Sequence, residues 1–443
     1  MKTRIFNLWY SFRSSYWFVP AVMAALAIAL AIGTTTLDEA LPPDVANRLG
    51  WLYSGGPEGA RTLLSTVAGS MITTAGVVFS ITIVVLSLTS SPFGPRLLGN
   101  FMRDTGTQVV LGTFVATFIY CLLILRVVRG TDQESFVPHL SVTFTYLLAL
   151  MSTIVLIYFV HHVASSIQAD SIITAVYRDL EATIDRLFPE QQEHGLKELG
   201  PKEVAEALPA RFEEEGWPVA ADGSGYLQAI DLEGLSSFAR DHDLILRVHC
   251  HAGEFVAEGA TLVTAWPREH WDETLVKKVN DAFIRGRQRT NEQDMEYAVK
   301  QLVEVALRAL SPGINDPFTA MTCIDWLGVA VGRSAQRKFP SPLRYDEKGS
   351  LRLAVVPITF EEIVNAAFGQ IRHAASFHLP VFLRLLEAIT AVAPHIRTDE
   401  HRAVLDHHAV LVARTGREAV QVKDDREAID ACYERTRHAL GKS

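Results

Sequence analysis

Hydroxyl side chains recur on a stretch that carries no charge. From Thr62 to Ser91 the chain reads TLLSTVAGSMITTAGVVFSITIVVLSLTSS. Thr66, Ser70, Thr73, Ser80, Ser87 and Ser91, with Val77 and Val84 between them, repeat at spacings of three or four, which aligns them on one side of a helix. Arranged around an axis, such hydroxyls line a water-containing path, and the two valines form an apolar constriction that gates by dewetting. The same small residues also let a helix pack closely on its neighbours, with hydroxyls bonding across or back to the helix. Both readings stand at this level, and an uncharged seam sets no strong ion preference.

Other groups that could do chemistry do not assemble into a motif. In His249-Cys250-His251, strand alternation puts the two histidines on one face and the cysteine on the other. His161-His162 point to different sides of a helix, so neither pair forms a metal site. Cys121, Cys250, Cys323 and Cys432 are widely spaced and form no CxxC. His373, His378, His395, His401, His407 and His408 match no HExxH spacing, and Asp406-His407 has no GxSxG, phosphate loop or dinucleotide fingerprint to join it. Arg285, Arg287 and Arg289 suit phosphate contact less well than a salt-bridged face, and Arg126 reads as a snorkelling side chain at a helix end. No enzyme activity, cofactor or metal is expected, and a net charge of -9 argues against a nucleic-acid binder.

The elements that would position the seam are legible from hydropathy. The chain has 443 residues, and a mean hydropathy of +0.16 concentrated in its first third divides it into membrane and soluble parts. Apolar spans are expected at about 17–36, 62–91, 108–126 and 139–162, making residues 1–163 a four-helix transmembrane domain. Lys2, Arg4 and Arg13 before the first span, with Asp38 and Glu39 after it, place both termini in the cytoplasm of a bacterial inner-membrane protein. Residues 164–222 read as a connector, led by a helix through Leu187 that continues the fourth span and followed by a solvated segment from Glu190 to Gly216. Residues 223–268 form a small β-rich module whose glycine hairpin, Leu246 to Thr264, is similar to lipoyl-like barrel-sandwich folds. No lysine lies between Tyr226 and Arg268, which excludes a swinging arm.

Residues 269–443 read as a mainly helical cytoplasmic domain, so the fold class is a membrane α-helical bundle followed by an α+β domain. Thr290 and Gln293 form a capping box before a helix through Leu310. Pro312, Gly313, Asn315, Asp316 and Pro317 form a stiff corner, with Asp316 capping a second helix over Phe318 to Val331. A strand over Leu351 to Pro357 and helices over Phe360 to Ser376, Val381 to Val392 and His401 to Arg414 follow.

The run FSITIVVLSLTSSPFGPRLLGNFMRDTGTQ, the hairpin EFVAEGATL and the segment QDMEYAVKQLVEVALRALSPGINDPFTA together resemble the bacterial predicted-membrane-protein family called domain of unknown function 2254. The resemblance implies several N-terminal spans and a soluble C-terminal region, and supplies no catalytic residues. Two functions are expected. One is a homo-oligomeric ion channel or transport protein lined by the second span; the alternative is a membrane-tethered sensor or scaffold that docks a cytoplasmic protein.

Overall fold

The protein, described here from a computed structural model, has backbone placed for residues 17–40, 52–93, 104–131, 134–166, 168–188, 199–272 and 274–441. The basic residues Lys2, Arg4 and Arg13 lie outside these ranges. The chain divides into two compact units, Met1–Ser171 and Ile172–Ser443.

The first unit holds α1 (Phe18–Ala40), α2 (Pro57–Phe93), α3 (Thr105–Val127), a short hairpin of β1 (Arg129–Thr131) and β2 (Glu134–Phe136), and α4 (His139–Ser166). Among the described residues, four helices are long and apolar enough to cross a membrane, as the hydropathy predicts. At 37 residues, α2 reaches about 55 Å, well beyond a hydrocarbon layer of about 30 Å. Helix α3 is the innermost, with α1, α2 and α4 each packed on it. Leu64, Tyr120, Cys121, Ile124 and Val142 form one cluster, and Ala75, Val78, Val110, Phe114 and Phe159 a second.

Without water to satisfy them, polar groups in such a bundle must pair internally. The Tyr120 hydroxyl lies 3.0 Å from Thr34 Oγ1 and donates to the Ser141 carbonyl at 3.1 Å. Asp38, read above as an external charge, caps α4 from the end of α1: it accepts from the backbone of Leu140 at 2.8 Å and Ser141 at 2.9 Å. Asp104 caps α3 through Gly106 and Thr107 and pairs with His162 Nε2 at 2.7 Å.

The second unit begins with α5 (Ala169–Leu187), a separate helix and not the expected continuation of α4, since the chain bends at Gln168. The expected solvated connector holds two short helices, α6 (Pro201–Glu206) and α7 (Phe212–Glu215), which bury Val204 and Phe212. Then follow β3 (Trp217–Ala220), β4 (Gly225–Ile230), α8 (Leu232–Asp241), β5 (Ile245–Val248), β6 (Phe255–Val256), β7 (Thr261–Trp266), α9 (Leu275–Asp281) and β8 (Phe283–Gly286). After them come α10 (Met295–Ala309), α11 (Pro317–Ala335), β9 (Leu343–Tyr345), β10 (Leu351–Ala354), α12 (Phe360–Ala374), α13 (Leu379–Val392), α14 (Asp399–Ala419) and α15 (Lys423–Ala439).

The strands do not close into a barrel. They form a five-stranded sheet, β3-β7-β5-β10-β9, and a three-stranded sheet, β6-β4-β8. The β-rich stretch is therefore not self-contained: β3, β8, β9 and β10 come from outside residues 223–268. β10 adds in parallel beside β5, and the other pairings are antiparallel. Gly253 at φ +96° and Gly259 at φ +84° turn the chain into and out of β6. At Gly253 a Cβ would lie 2.0 Å from the Asp294 carboxylate, so both backbone and space require glycine there. Leu227, Leu246, Val248, Leu262, Phe283 and Leu353 fill the core of the sheets.

Candidate functional site

The hydroxyl seam lies on the side of α2 that faces away from the helices packed on it among the described residues. The face packed in the first unit carries Ala60, Leu64, Ala68, Ala75 and Val78, all buried, with Met71 packed beside them. Seam residues Thr66, Ser70, Thr73, Val77 and Ser80 each follow a packed residue by two positions, about 200° around a helix. Thr66, Ser70, Thr73, Val77, Ser80, Val84 and Ser87 are all exposed, with Val77 at 54% and Val84 at 55%. Ser91 lies on the helix, but its side chain falls outside the described residues. Among the described residues, the helices of the first unit pack on the opposite face of α2 and not on the seam.

The hydroxyls are already satisfied. Thr66, Ser70, Thr73 and Ser80 donate to the carbonyls of Thr62, Thr66, Gly69 and Gly76, four residues back, at 2.7 to 2.9 Å. Their oxygens keep lone pairs directed away from the helix, able to accept from water. Beside the seam, Gly69 and Gly76 have nothing within 4 Å of a built Cβ, which leaves room for another helix to approach closely.

The corner assembles as its sequence predicts, with one shift. Asp316 accepts from Thr319 N at 3.1 Å and Thr319 Oγ1 at 2.6 Å, and Pro317 occupies the first turn of α11. The Thr319 hydrogen bonds hold its carboxyl below the usual carboxylate range, against a smaller opposing effect of burial. The residue at positive φ is Asn315, at 52°; the exposed Pro312 and Gly313 precede it. Upstream, the expected capping box does not form. Asp294 caps α10 by accepting from Tyr297 N at 2.8 Å, while Gln293 bonds both backbone groups of Ile230. Arg289 grips the buried Asp294 at 2.7 and 2.9 Å and Glu296 at 3.0 Å, and Arg285 pairs with Asp222, so these two arginines are salt-bridged as expected.

A cavity of about 400 Å³ opens inside the second unit, between the starts of α10 and α12 and the ends of β5 and β10. No local sequence signal points to it, because its walls come from segments far apart in the chain. Leu187, Ile230, Val248, Met295, Val355 and Ile363 form an apolar lining, and Arg344, Glu362 and His251 add polar groups. Arg344 has no acidic or hydrogen-bond partner among the described residues, whereas Arg186 is paired with Glu292. Cys250 also lines the cavity, but burial pushes its thiol up to about 12, so it is neutral and a poor nucleophile. β5 ends at Val248, so strand alternation does not govern the adjacent histidines. His249 bonds Thr264 Oγ1 at 2.7 Å, and His251 pairs with Glu254 at 2.8 Å. Among the described residues, no three His, Cys, Asp or Glu side chains converge as metal ligands.

Comparison with known proteins agrees with the first unit's helices. Residues 13–391 match the family described as predicted membrane protein, DUF2254. An uncharacterized protein of Mycobacterium tuberculosis strain CDC 1551 is 31% identical over 419 residues, covering 92% of this chain and 78% of that protein. Uncharacterized proteins of Mycobacterium bovis and of Mycobacterium tuberculosis strain H37Rv are each 30% identical over the same coverage. No solved structure matches.

Proposed function

We propose that this chain, which belongs to the predicted membrane protein family DUF2254, is a homo-oligomeric channel or transport protein in which α2 of each copy lines a shared path. The observation that carries this reading is the composition of the exposed side of α2: opposite the face that packs on α3, hydroxyl-bearing side chains follow one another in a stripe at spacings of three or four. In lipid, the five hydroxyl-bearing positions of the described stripe, Thr66, Ser70, Thr73, Ser80 and Ser87, gain little from acyl chains, whereas around an axis they meet water or their own copies. Val77 and Val84 then form the narrow, dry levels. The termini lie in the cytoplasm of a bacterial inner membrane, following the basic residues before α1.

Reconstituted protein should pass small ions, and Ser80→Phe should reduce that flux severalfold while leaving assembly intact, because a ring of aromatic side chains fills a narrow lumen. Protein that assembles but passes no ions would refute the path.

A second reading, a membrane-tethered sensor, is favoured by one specific observation, the cavity with apolar walls and an unpaired guanidinium at Arg344. Such a site fits a small apolar molecule carrying a carboxylate or phosphate. Thermal-shift measurements on the full chain with carboxylates and phosphate esters should then give a stabilisation that Arg344→Ala removes; no stabilisation by either class would count against the sensor.

A further inference from the structure

Most of the polar side chains that line the cavity of the second unit are already engaged by the protein. Arg186 donates to the Asn291 carbonyl at 2.5 Å, and Gln293 bonds both backbone groups of Ile230. Asp294 and Glu296 are held by Arg289, Ser341 donates to the Leu343 carbonyl at 3.0 Å, and His251 pairs with Glu254.

One charge of each sign is left with bonding capacity to spare. Arg344, on β9, is only partly exposed and has no acidic or hydrogen-bond partner among the described residues. Glu362, in the first turn of α12, uses Oε2 to accept from the Thr359 amide at 3.1 Å, and among the described residues nothing bonds its Oε1. The buried side chains of Ile230, Val248, Met295 and Ile363 give the same cavity its apolar walls.

These groups select among ligands by charge. A guanidinium partly withdrawn from water gains from an anion, which calls for a carboxylate or a phosphate. A phosphate monoester is close to a dianion at neutral pH, and the Glu362 carboxylate on the same cavity repels it. A plain monocarboxylate satisfies Arg344 and leaves Glu362 Oε1 open. A molecule with one carboxylate and one ammonium satisfies both.

We propose that the cavity binds a free α-amino acid with an apolar side chain, its carboxylate on Arg344, its ammonium on Glu362 and its side chain against Ile230, Val248, Met295 and Ile363. In an α-amino acid the two charges share one carbon and leave an apolar end for the walls, whereas an ω-amino acid has no apolar end. At about 400 Å³ the cavity falls in the range of small-molecule sites, about 300–1,000 Å³. The proposal rests on the sensor reading above and narrows its ligand class.

The test is isothermal titration calorimetry on the full chain in detergent, with L-leucine, with isocaproate, which is leucine without its ammonium, and with hexyl phosphate. Leucine should bind about tenfold more tightly than isocaproate, the change expected from one hydrogen bond between charged groups. Glu362→Gln keeps the capping box, since glutamine serves at that position. It should lower the affinity for leucine to that for isocaproate and leave isocaproate binding no weaker than in wild type. Leucine binding no tighter than isocaproate, or leucine binding that Glu362→Gln does not change, would overturn the proposal while the sensor reading stands. Absence of binding by leucine, isocaproate and hexyl phosphate alike would overturn both.

Discussion

At Asp316 and Asp294, single carboxylates start consecutive long helices, and their surroundings make the consequences of removing them different. Asp316 is a partly exposed cap, so Asp316→Ala should lower stability by about 0.5–2 kcal/mol. Its folded pKa is depressed, so its contribution is present above the ordinary carboxylate range and is lost as pH falls through the lower folded value. A thermal-melt series should therefore show wild type and Asp316→Ala converging as pH falls below the ordinary carboxylate range. A gap that stays constant below that range would remove the linkage. Asp294 is 2% exposed and held by Arg289. Arg289→Ala strands a buried carboxylate and should cost about 3–5 kcal/mol, read from denaturant unfolding of the second unit. A cost near that of the Asp316 cap would mean that water reaches Asp294.

Among the elements, α11 and α13 approach closely at Gly328, where a Cβ would lie 3.2 Å from that of Ala388. Gly328→Leu should destabilise by at least 1–3 kcal/mol, about the cost of overpacking a filled core, while Val329→Leu on the exposed side should be nearly neutral. Equal effects in urea melts would contradict the close crossing. These elements were unequally legible in the sequence. The four apolar helices could be read because hydropathy and length are local signals: the expected spans at about 62–91, 108–126 and 139–162 fall inside Pro57–Phe93, Thr105–Val127 and His139–Ser166, and the one at 17–36 begins one residue before Phe18–Ala40. The Asp316 corner could be read because caps and proline act within a few residues. The sheet could not, since β10 joins β5 across more than a hundred residues and β3 reaches β7 past four intervening elements, β4, α8, β5 and β6. Nor could α15, whose buried residues are Ile429, Cys432 and Thr436, too few to give an apolar period. The capping role of Asp38 was not legible for the same reason: its partners at Leu140 and Ser141 lie far along the chain.

For the whole molecule, the central claim is that copies of α2 surround a path. The seam's spacing was visible in the sequence, but the face it occupies relative to α3 depended on Ala60, Leu64, Ala68, Ala75 and Val78 being the packed side, which only the assembled helices reveal. Seam and lipid positions are equally exposed in one copy, so exposure within the chain does not separate them, and the discriminating quantity is water access in the assembled protein. The measurement is a scan of single cysteines along α2 in reconstituted protein, read as the rate of reaction with a membrane-impermeant thiol reagent. Cysteines at Thr66, Ser70, Thr73, Val77, Ser80, Val84 and Ser87 should react on a three-or-four-residue period, slowest at the two valine levels, while Ile72, Phe79 and Ile83 stay protected. Uniform protection along the helix, or reactivity with no period, would contradict the account.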